Sequence, residues 1–542
     1  MFIIHRSSFI VYDSPVSVDD LRSQLRERGY LSHGIERWFA LDPWRSRAFW
    51  VELTIVAAKA AILIGAFALL PLVAVMLFRN HPLSAWETIV LAIVYGGSAL
   101  IASLLLLIVV ALILKIRPAL AIDTPRALLA ISFTVSAVLT LAIALWWSRF
   151  ASPPSLAEVI AGLVLIVITF LIGTIAISAA LLSFSIYELQ RVPAIHQKPR
   201  GVPMSMAAAI LTALLFLPTY LAQERQSAEP PIAVVTTPAS RRIVLIAVDG
   251  LTFEIAKTRA FPSPIQIATV PATSTTERWA SVGTGVSPRL HGVHAVDGVR
   301  LRGGRHLIQT LSTFDVALHD FAPAVRLADR EPLPPTVRRR DFVWEIFAAR
   351  GVPALSVNWW TTDDSASSIG QSSIFAAAKG DPLKLDAGAT HRALSAIDRS
   401  HPRFVALYLP ALDVILNRLA LDRSAQLAAS VRALDGIGTA IEAMQKRGYD
   451  VMVVGLPGDR QSGSGVLATT LKLTKAPRSA YDVAPTLCAL IGFPASSEMP
   501  GDARTPTELP RIASYGPRAS QSENVRVNEE YYNNLKSLGY IR

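Results

Sequence analysis

The chain has 542 residues, a formal net charge of +11 and a mean hydropathy of +0.40, with 51% hydrophobic and 17% charged residues. This length exceeds that of one ordinary domain, and the composition separates an apolar region at 51–222 from a polar remainder. The positive residues form no basic stripe with interleaved aromatic residues, so nucleic acid is not an expected partner. The single cysteine, Cys488, excludes an internal disulfide and a cysteine-based metal site, and it is predicted to be a buried apolar side chain.

Residues 1–50 are predicted to form a cytoplasmic segment. The N-terminal stretch lacks a basic region followed by an apolar core and a cleavage site, so we expect no cleaved signal peptide. Residues 18–41 could form an amphipathic helix whose apolar positions include Leu21, Leu25, Tyr30 and Ile35. We expect this helix to rest on the inner membrane surface, with a cytoplasmic partner helix as the alternative.

Residues 51–222 are predicted to form an all-α transmembrane bundle of about five helices. A helix that crosses ~30 Å of hydrocarbon needs about 20 apolar residues, and the candidate spans are 51–78, 88–114, 127–147, 159–184 and 202–222. With the N-terminus inside, thirteen Lys and Arg residues of the short segments lie on the inner side and three on the outer side. This bias predicts a cytoplasmic N-terminus and an extracytoplasmic C-terminal domain in the inner or plasma membrane.

Residues 223–242 are rich in Pro, Ser, Thr and Gln and are predicted to be a linker. Short β-branched runs then follow at 243–248, 403–408 and 450–455, and helical patterns alternate with them. This alternation predicts an α/β domain over 243–542, with a mainly parallel sheet sandwiched by helices. Ligands of such sheets bind beyond the carboxyl ends of the strands, which is where Asp249 and Asp413 lie in the sequence.

Five segments of this domain carry a resemblance to one known family. They are IVLIAVDG at 243–250, VPATSTTERWASVGTGVSPRLHGV at 270–293, NWWTT at 358–362, YDVAPTLCALIGFP at 481–494 and LKSLGYI at 535–541. In this order they resemble the alkaline phosphatase superfamily, and in particular its type I phosphodiesterase/nucleotide pyrophosphatase branch. The resemblance implies an alkaline-phosphatase-like fold. It also implies phosphoryl or sulfuryl transfer by a nucleophilic hydroxyl between two Zn²⁺-type cations.

The resemblance assigns a role to only three residues of the implied metal centre. Asp249 matches a ligand of the first metal, Thr275 matches the nucleophile, and Asp413 matches a ligand of the second metal. The other ligand positions hold residues that cannot bind zinc: Asn417 replaces a histidine, and Leu456 and Pro457 replace an Asp–His pair. A late histidine is also missing near 463–464, and no other alignment can supply it, because the last histidine of the chain lies at position 401.

Arg278 lies three residues after Thr275, where this branch often has a phosphate-contacting asparagine. Its guanidinium could bind an anion bidentately, or it could form a structural salt bridge in place of the metal charge, and both alternatives remain open. His291 is predicted to order a turn. The basic segment around 298–340 resembles an insert, and the histidines in and beside it are predicted to be solvated: His294, His306 and His319.

Three functions are compatible with these residues. We expect a non-catalytic binding or scaffold protein at the outer membrane face, without a cofactor, whose partners are the lipid bilayer and proteins of the membrane or envelope. The alternative is an active membrane-bound phosphodiesterase or phosphotransferase that uses Thr275 and a divalent metal (Zn, Mn or Mg) on lipid or glycan head groups. An assembly or transport subunit is the third possibility, but the spans contain no central run of ionisable residues.

Overall fold

The structure is a computed structural model that describes residues 83–116, isolated helical positions between 27 and 174, and most of 241–541. Within this last range it leaves out 259–260, 273, 310–316, 364, 459–462, 507–508 and 519–528. The chain forms two compact units, and the unit that contains the α/β domain, Ala222–Arg542, also includes Met76–Glu87.

One long helix, α1 (Ala85–Ile116), is described in the apolar region. Its stretch Ala85–Leu105, with a mean hydropathy of 2.1, is long and apolar enough to cross a membrane, and it overlaps the predicted span 88–114. Ser84 and Glu87 cap its first turn reciprocally, because the Ser84 N–H donates to Glu87 Oε2 (2.7 Å) and the Glu87 N–H donates to Ser84 Oγ (3.2 Å). The other four predicted spans lie outside the described residues, apart from isolated helical positions, so the five-helix bundle remains a prediction.

The α/β domain contains two sheets. The larger has seven strands in the order β2-β10-β9-β1-β8-β6-β7, and the smaller has three in the order β4-β3-β5. In chain order the strands are β1 (Ile243–Asp249), β2 (Ile265–Ile267), β3 (Asp297–Leu301), β4 (Leu307–Gln309), β5 (Ala328–Pro332), β6 (Ala354–Val357), β7 (Ser368–Ile369), β8 (Phe404–Leu409), β9 (Asp450–Leu456) and β10 (Gly465–Thr469).

The first strand of the domain, β1, lies at the centre of the large sheet. It pairs in parallel with β8, where Ile243 lies opposite Phe404, and with β9, where Ile243 lies opposite Asp450. All seven residues of β1 are buried, as expected for an apolar run covered on both faces. Beyond β9, strand β10 pairs in the antiparallel direction with β9, and the edge strand β2 pairs in the antiparallel direction with β10. The predicted α/β class with a mainly parallel sheet is therefore confirmed, and the sheet is mixed because β10 pairs in the antiparallel direction with both of its neighbours.

Helices and short helical turns connect the strands. The helices are α2 (Phe253–Lys257), α3 (Thr275–Thr284), α4 (Pro288–His291), α5 (Ala322–Ala324), α6 (Val343–Ala349), α7 (Gln371–Ala378), α8 (Pro382–Ser400), α9 (Ala411–Asp413), α10 (Arg423–Lys446), α11 (Val483–Ile491) and α12 (Glu529–Ser537). Helix α8 packs against β8, and α10 packs against β9. Both begin at an aspartate whose carboxylate accepts N–H groups of the first turn: Asp381 for α8 and Asp422 for α10.

An aromatic cluster forms part of the core beside the large sheet. Trp279 of α3 contacts Trp359 and Tyr408 edge to face, with ring centroids 5.9 and 5.6 Å apart. Trp344 of α6 lies 4.7 Å from Trp359 in the same arrangement. These side chains are fully buried. They hold α3 and α6 against β8 and thereby fix the position of the α3 N-terminus.

Candidate functional site

The candidate site lies at the carboxyl end of the central strand. Asp249 is the last residue of β1, Thr275 is the first residue of α3, and Asp413 is the last residue of α9. Gly250 permits the close approach of β1 and α9. It has φ +82°, and a Cβ at this position would lie 2.7 Å from both N and Cα of Asp413. The structure thus brings together the three residues that the sequence assigned to the implied metal centre, and all three are fully buried.

One oxygen of the Asp249 carboxylate accepts hydrogen bonds from two hydroxyl groups. The Thr275 hydroxyl donates to Asp249 Oδ2, and the Tyr408 phenol donates to the same atom at 3.1 Å. Burial, and then the negative charge of Asp249, raise the pKa of Tyr408 well above its ordinary value. The phenol therefore stays protonated and acts as a donor, and the Thr275 hydroxyl is also held as a donor to the carboxylate.

Arg278 lies one turn of α3 beyond Thr275 and is used within the chain. Its Nη1 donates to the carbonyl oxygen of Pro457 (2.7 Å) and lies 3.9 Å from Asp249 Oδ1. Pro457 occupies a position where the family resemblance implies a metal ligand. In this chain the Pro457 carbonyl accepts a hydrogen bond from the Arg278 guanidinium instead. This geometry favours the salt-bridge alternative for Arg278 over the anion-binding one.

Asp413 is also neutralised by a guanidinium. Arg418 Nε donates to Asp413 Oδ2 (2.6 Å) and Asn417 Nδ2 donates to Asp413 Oδ1 (2.7 Å), so each carboxylate oxygen has its own donor. The π-helical turn Val414–Arg418 explains why both donors reach the same carboxylate, because its wider turn directs both i+4 and i+5 side chains back towards residue i. Sequence reasoning missed Arg418. The sequence feature that could have indicated it is the position of Arg418 directly after Asn417, the residue that replaces the expected histidine.

The C-terminal segment covers this ion pair. The guanidinium carbon of Arg418 lies 4.1 Å from the ring centroid of Tyr540, and the Tyr540 ring lies 5.3 Å from that of Trp360. Gly539 has φ +74°, and a Cβ there would lie 3.1 Å from Arg418 Cβ. The LKSLGYI block therefore closes over the centre and encloses the Arg418 cation between a carboxylate and an aromatic face.

The residues present do not fit the two-metal centre of the implied family. Both oxygens of Asp413 accept side-chain hydrogen bonds, and Gly458 lies so close that a Cβ there would be 1.6 Å from Asp413 Oδ1. Across the part of the chain that the structure describes, no group of three or more His, Cys, Asp or Glu side chains could hold a metal ion. A cation would have to displace Arg418 and Asn417 and would then find oxygen ligands only, which hold a divalent metal loosely.

The histidines near α3 have structural roles. His291 Nε2 lies 2.9 Å from Ser281 Oγ, and its Nδ1 accepts the Val293 N–H (3.1 Å), so it orders the turn as predicted. Burial lowers the pKa of His291 to about 3, which keeps the ring neutral.

Asp482, at the start of α11, accepts hydrogen bonds from the N–H groups of Arg478 and Ser479 and therefore caps a helical turn.

The prediction that the other three histidines are solvated is wrong. The side chain of His294 is 6% exposed, and its Nδ1 lies 3.1 Å from Oε1 of the buried Glu277. His306 Nδ1 lies 2.8 Å from Glu87 Oε2, and the His319 side chain is 11% exposed. The carboxylate partners of His294 and His306 lie 17 and 219 residues away in the sequence. The basic composition around these histidines therefore gave no sign of the partners and suggested solvated side chains.

Parts of this chain are similar to solved structures and to one family model. Human ectonucleotide pyrophosphatase/phosphodiesterase 5 is similar at 10% identity with a TM-score of 0.32, over 51% of this chain and 98% of that chain. A phosphonoacetate hydrolase from Sinorhizobium meliloti 1021 is similar at 11% identity with a TM-score of 0.29, over 42% of this chain and 59% of that chain. Among curated proteins no match is found. Residues 244–455 match the family model of type I phosphodiesterase / nucleotide pyrophosphatase.

Proposed function

We propose that this chain is a membrane-anchored, phosphodiesterase-like protein that does not catalyse and instead acts as a binding or scaffold protein at the outer membrane face. The observation that carries this proposal is the pairing of both remaining carboxylates with arginines. Arg418 bonds to Asp413 at 2.6 Å, and Arg278 lies 3.9 Å from Asp249. These guanidinium groups take over the charge-neutralising role that the implied metal cations have in the family.

Charge neutralisation alone does not supply the chemistry. A catalytic metal also has open coordination positions. Through them it binds and polarises the substrate and lowers the pKa of the nucleophile's hydroxyl. A guanidinium has no such position and stays protonated throughout the accessible pH range. With Arg278 and Arg418 as its cations, the centre preserves the folded arrangement of β1, α3 and α9 but offers the Thr275 hydroxyl no coordination to a cation that would lower its pKa.

Membrane anchoring is supported by α1 and by the Lys/Arg bias of the short segments. The His306 N–H donates to Glu87 Oε1 (2.8 Å), so the start of α1 contacts the α/β domain within one compact unit. This contact requires residues 84–87 and the domain to share a side of the bilayer. A five-span topology with an inner N-terminus meets that requirement, because it places the loop after the first span and the C-terminal domain both outside.

One observation favours the alternative of an active phosphodiesterase or phosphotransferase for lipid or glycan head groups. Thr275 lies at the first position of α3 with its hydroxyl on Asp249, and a helix N-terminus favours a negatively charged group beside it. This arrangement preserves the placement of a nucleophile. Among the described residues, it lacks a group of His, Cys, Asp or Glu ligands that would hold a cation to activate the hydroxyl.

The deciding experiment measures metal dependence on the purified full chain in detergent. A site filled at a hundredfold excess over Kd would stabilise the folded state by about 2.7 kcal/mol, which would raise Tm by several degrees. We expect no such shift with Zn²⁺, Mn²⁺ or Mg²⁺ relative to EDTA, and no hydrolysis of an aryl phosphodiester above background.

Two threonine variants make the result specific. Thr275→Ala removes the hydroxyl that faces Asp249, whereas Thr276→Ala removes a neighbouring buried hydroxyl that donates to the Ala295 carbonyl. We expect neither to change the background rate. A metal-dependent hydrolysis that Thr275→Ala abolishes and Thr276→Ala retains would refute the non-catalytic proposal and establish the enzyme.

A further inference from the structure

The turn between β3 and β4 presents two arginines to solvent. The Gly304 N–H donates to the Leu301 carbonyl (2.8 Å), and Gly303 takes φ +75°, so the chain reverses tightly within 301–304. The side chains of Arg302 and Arg305 are exposed on this turn. The small sheet thus displays positive charge at one end.

This turn packs against the first turn of α1, inside the compact unit that holds the α/β domain. Trp86 Nε1 donates to the Arg302 carbonyl (2.9 Å), and Glu87, which is fully buried, accepts the His306 N–H. The turn needs glycines for this approach. A Cβ at Gly303 would lie 2.9 Å from Trp86 Nε1, and one at Gly304 would lie 2.8 Å from Glu87 Oε1.

With α1 as a membrane span, as proposed above, the start of α1 defines the depth of this turn relative to the bilayer. Trp86 is 52% exposed and lies at the end of the apolar stretch Ala85–Leu105. Tryptophan is enriched where a span meets the headgroup region, because its ring is apolar and its N–H is polar. Under the membrane anchoring proposed above, a turn bonded to Trp86 lies at the level of the lipid headgroups.

A third arginine extends the same surface. The Arg302 N–H donates to the Leu327 carbonyl (2.9 Å), which brings the turn beside Val325 and Arg326, both exposed. Among the residues that the structure describes, no ion pair involves Arg302, Arg305 or Arg326. Of the nearby acids, Glu331 binds Arg300 (2.9 Å), and Asp329 lies opposite Arg300 in the strand register.

We propose that this interface patch, formed by Trp86, Arg302, Arg305, Val325 and Arg326, binds the phosphate groups of anionic phospholipids. Guanidinium groups donate bidentately to phosphate oxygens, and Trp86 and Val325 provide the apolar contact that a membrane interface accepts. The proposal rests on the membrane anchoring given above and adds a lipid class to it. The patch holds the small sheet down on an anionic bilayer surface.

The test uses the full chain in lipid nanodiscs with a fluorescent reporter beside the patch. Ala324 is exposed next to Val325, and the only native cysteine, Cys488, is fully buried, so Ala324→Cys can be labelled alone with an environment-sensitive dye. Accessibility of the dye to acrylamide is measured in phosphatidylcholine nanodiscs and in nanodiscs containing phosphatidylglycerol. We expect phosphatidylglycerol to reduce the accessibility roughly twofold, and high salt to reverse the reduction.

Three variants separate charge at the patch from charge elsewhere. R302Q/R305Q/R326Q should abolish the response, whereas R302K/R305K/R326K should retain most of it. The matched control R423Q/R432Q/K446Q removes the same charge from exposed positions of α10 and should respond like the wild-type chain. A response that survives in R302Q/R305Q/R326Q, or that is lost equally in the α10 control, would overturn the lipid contact.

The outcomes also separate this proposal from the proposed function. A chain that does not co-purify with the nanodisc would refute membrane anchoring, and the lipid contact with it. Co-purification without a phosphatidylglycerol response would refute the lipid contact alone. Phosphodiester hydrolysis in the same nanodiscs would refute the non-catalytic role and leave the lipid response as measured.

Discussion

Replacing Arg418 should destabilise the α/β domain strongly. The side chains of Arg418 and Asp413 are 7% and 0% exposed, and their Nε–Oδ2 distance is 2.6 Å. Arg418→Met preserves much of the side-chain volume and removes the guanidinium, so a buried carboxylate loses its cation. Breaking a buried pair by removing one partner costs about 3 to 5 kcal/mol.

The contact with Tyr540 adds to this cost. The guanidinium carbon lies 4.1 Å from the Tyr540 ring centroid, and a desolvated cation–π contact contributes about 1 to 2 kcal/mol. In a domain of this size each kcal/mol shifts Tm by roughly 1.5 to 2 °C. We therefore expect Arg418→Met to lower Tm by about 5 to 15 °C, measured by tryptophan fluorescence on the full chain in detergent.

A double variant and a surface control test the electrostatic reasoning. Asp413→Asn combined with Arg418→Met removes both charges, so it should recover most of the lost stability. Arg447→Met breaks the exposed Arg447–Asp398 pair, whose Nε–Oδ1 distance of 2.7 Å is similar, and should change Tm little because exposed pairs contribute little. A loss after Arg418→Met no larger than after Arg447→Met, or a double variant no more stable than Arg418→Met alone, would refute the reasoning.

Two further predictions concern other parts of the domain. Burial, and then the charge of Glu345, raise the pKa of Asp341 to about 6 from 3.8. Because the folded state retains this proton after the unfolded state has released it, stability should fall as pH rises from about 4 to about 6, and Asp341→Asn should flatten that part of the Tm–pH profile. Gly250→Ala should cost about 2 to 5 kcal/mol, from the left-handed backbone and from contact with Asp413. Gly351→Ala should cost only about 1 to 2 kcal/mol, because Gly351 has the same φ of +82° with nothing within 4 Å. Equal losses of Tm in the two glycine variants would show that contact of the added Cβ with Asp413 does not contribute to the cost of Gly250→Ala.

The sequence predicted the centre of the sheet better than its edges. The runs at 243–248, 403–408 and 450–455 coincide with β1, β8 and β9, because a strand buried on both faces forms a nearly continuous apolar run. The edge strands β2 and β7 were missed since they have three and two residues, too few to show a period. Antiparallel pairing of β10 was also missed, because strand direction depends on connections and not on composition.

For the candidate site, the sequence identified which residues come together but missed some of their contacts. Asp249, Thr275 and Asp413 were found because each occupies a fixed place in a family motif. Arg418 was missed because a π-helical turn, which no local pattern indicated, directs it to Asp413. The contact of His306 with Glu87 spans 219 residues, so only the tertiary structure could reveal it.

The central position of β1 has a consequence for biosynthesis. β1 emerges from the ribosome early in the synthesis of the domain, yet its partners β8 and β9 begin only at Phe404 and Asp450. At 5 to 20 residues per second, this interval lasts roughly 10 to 40 s. During that time an apolar strand has both edges unpaired, which is the condition that favours intermolecular β-pairing. Production of this chain should therefore depend on chaperones that shield β1 until the second half of the sheet has been made.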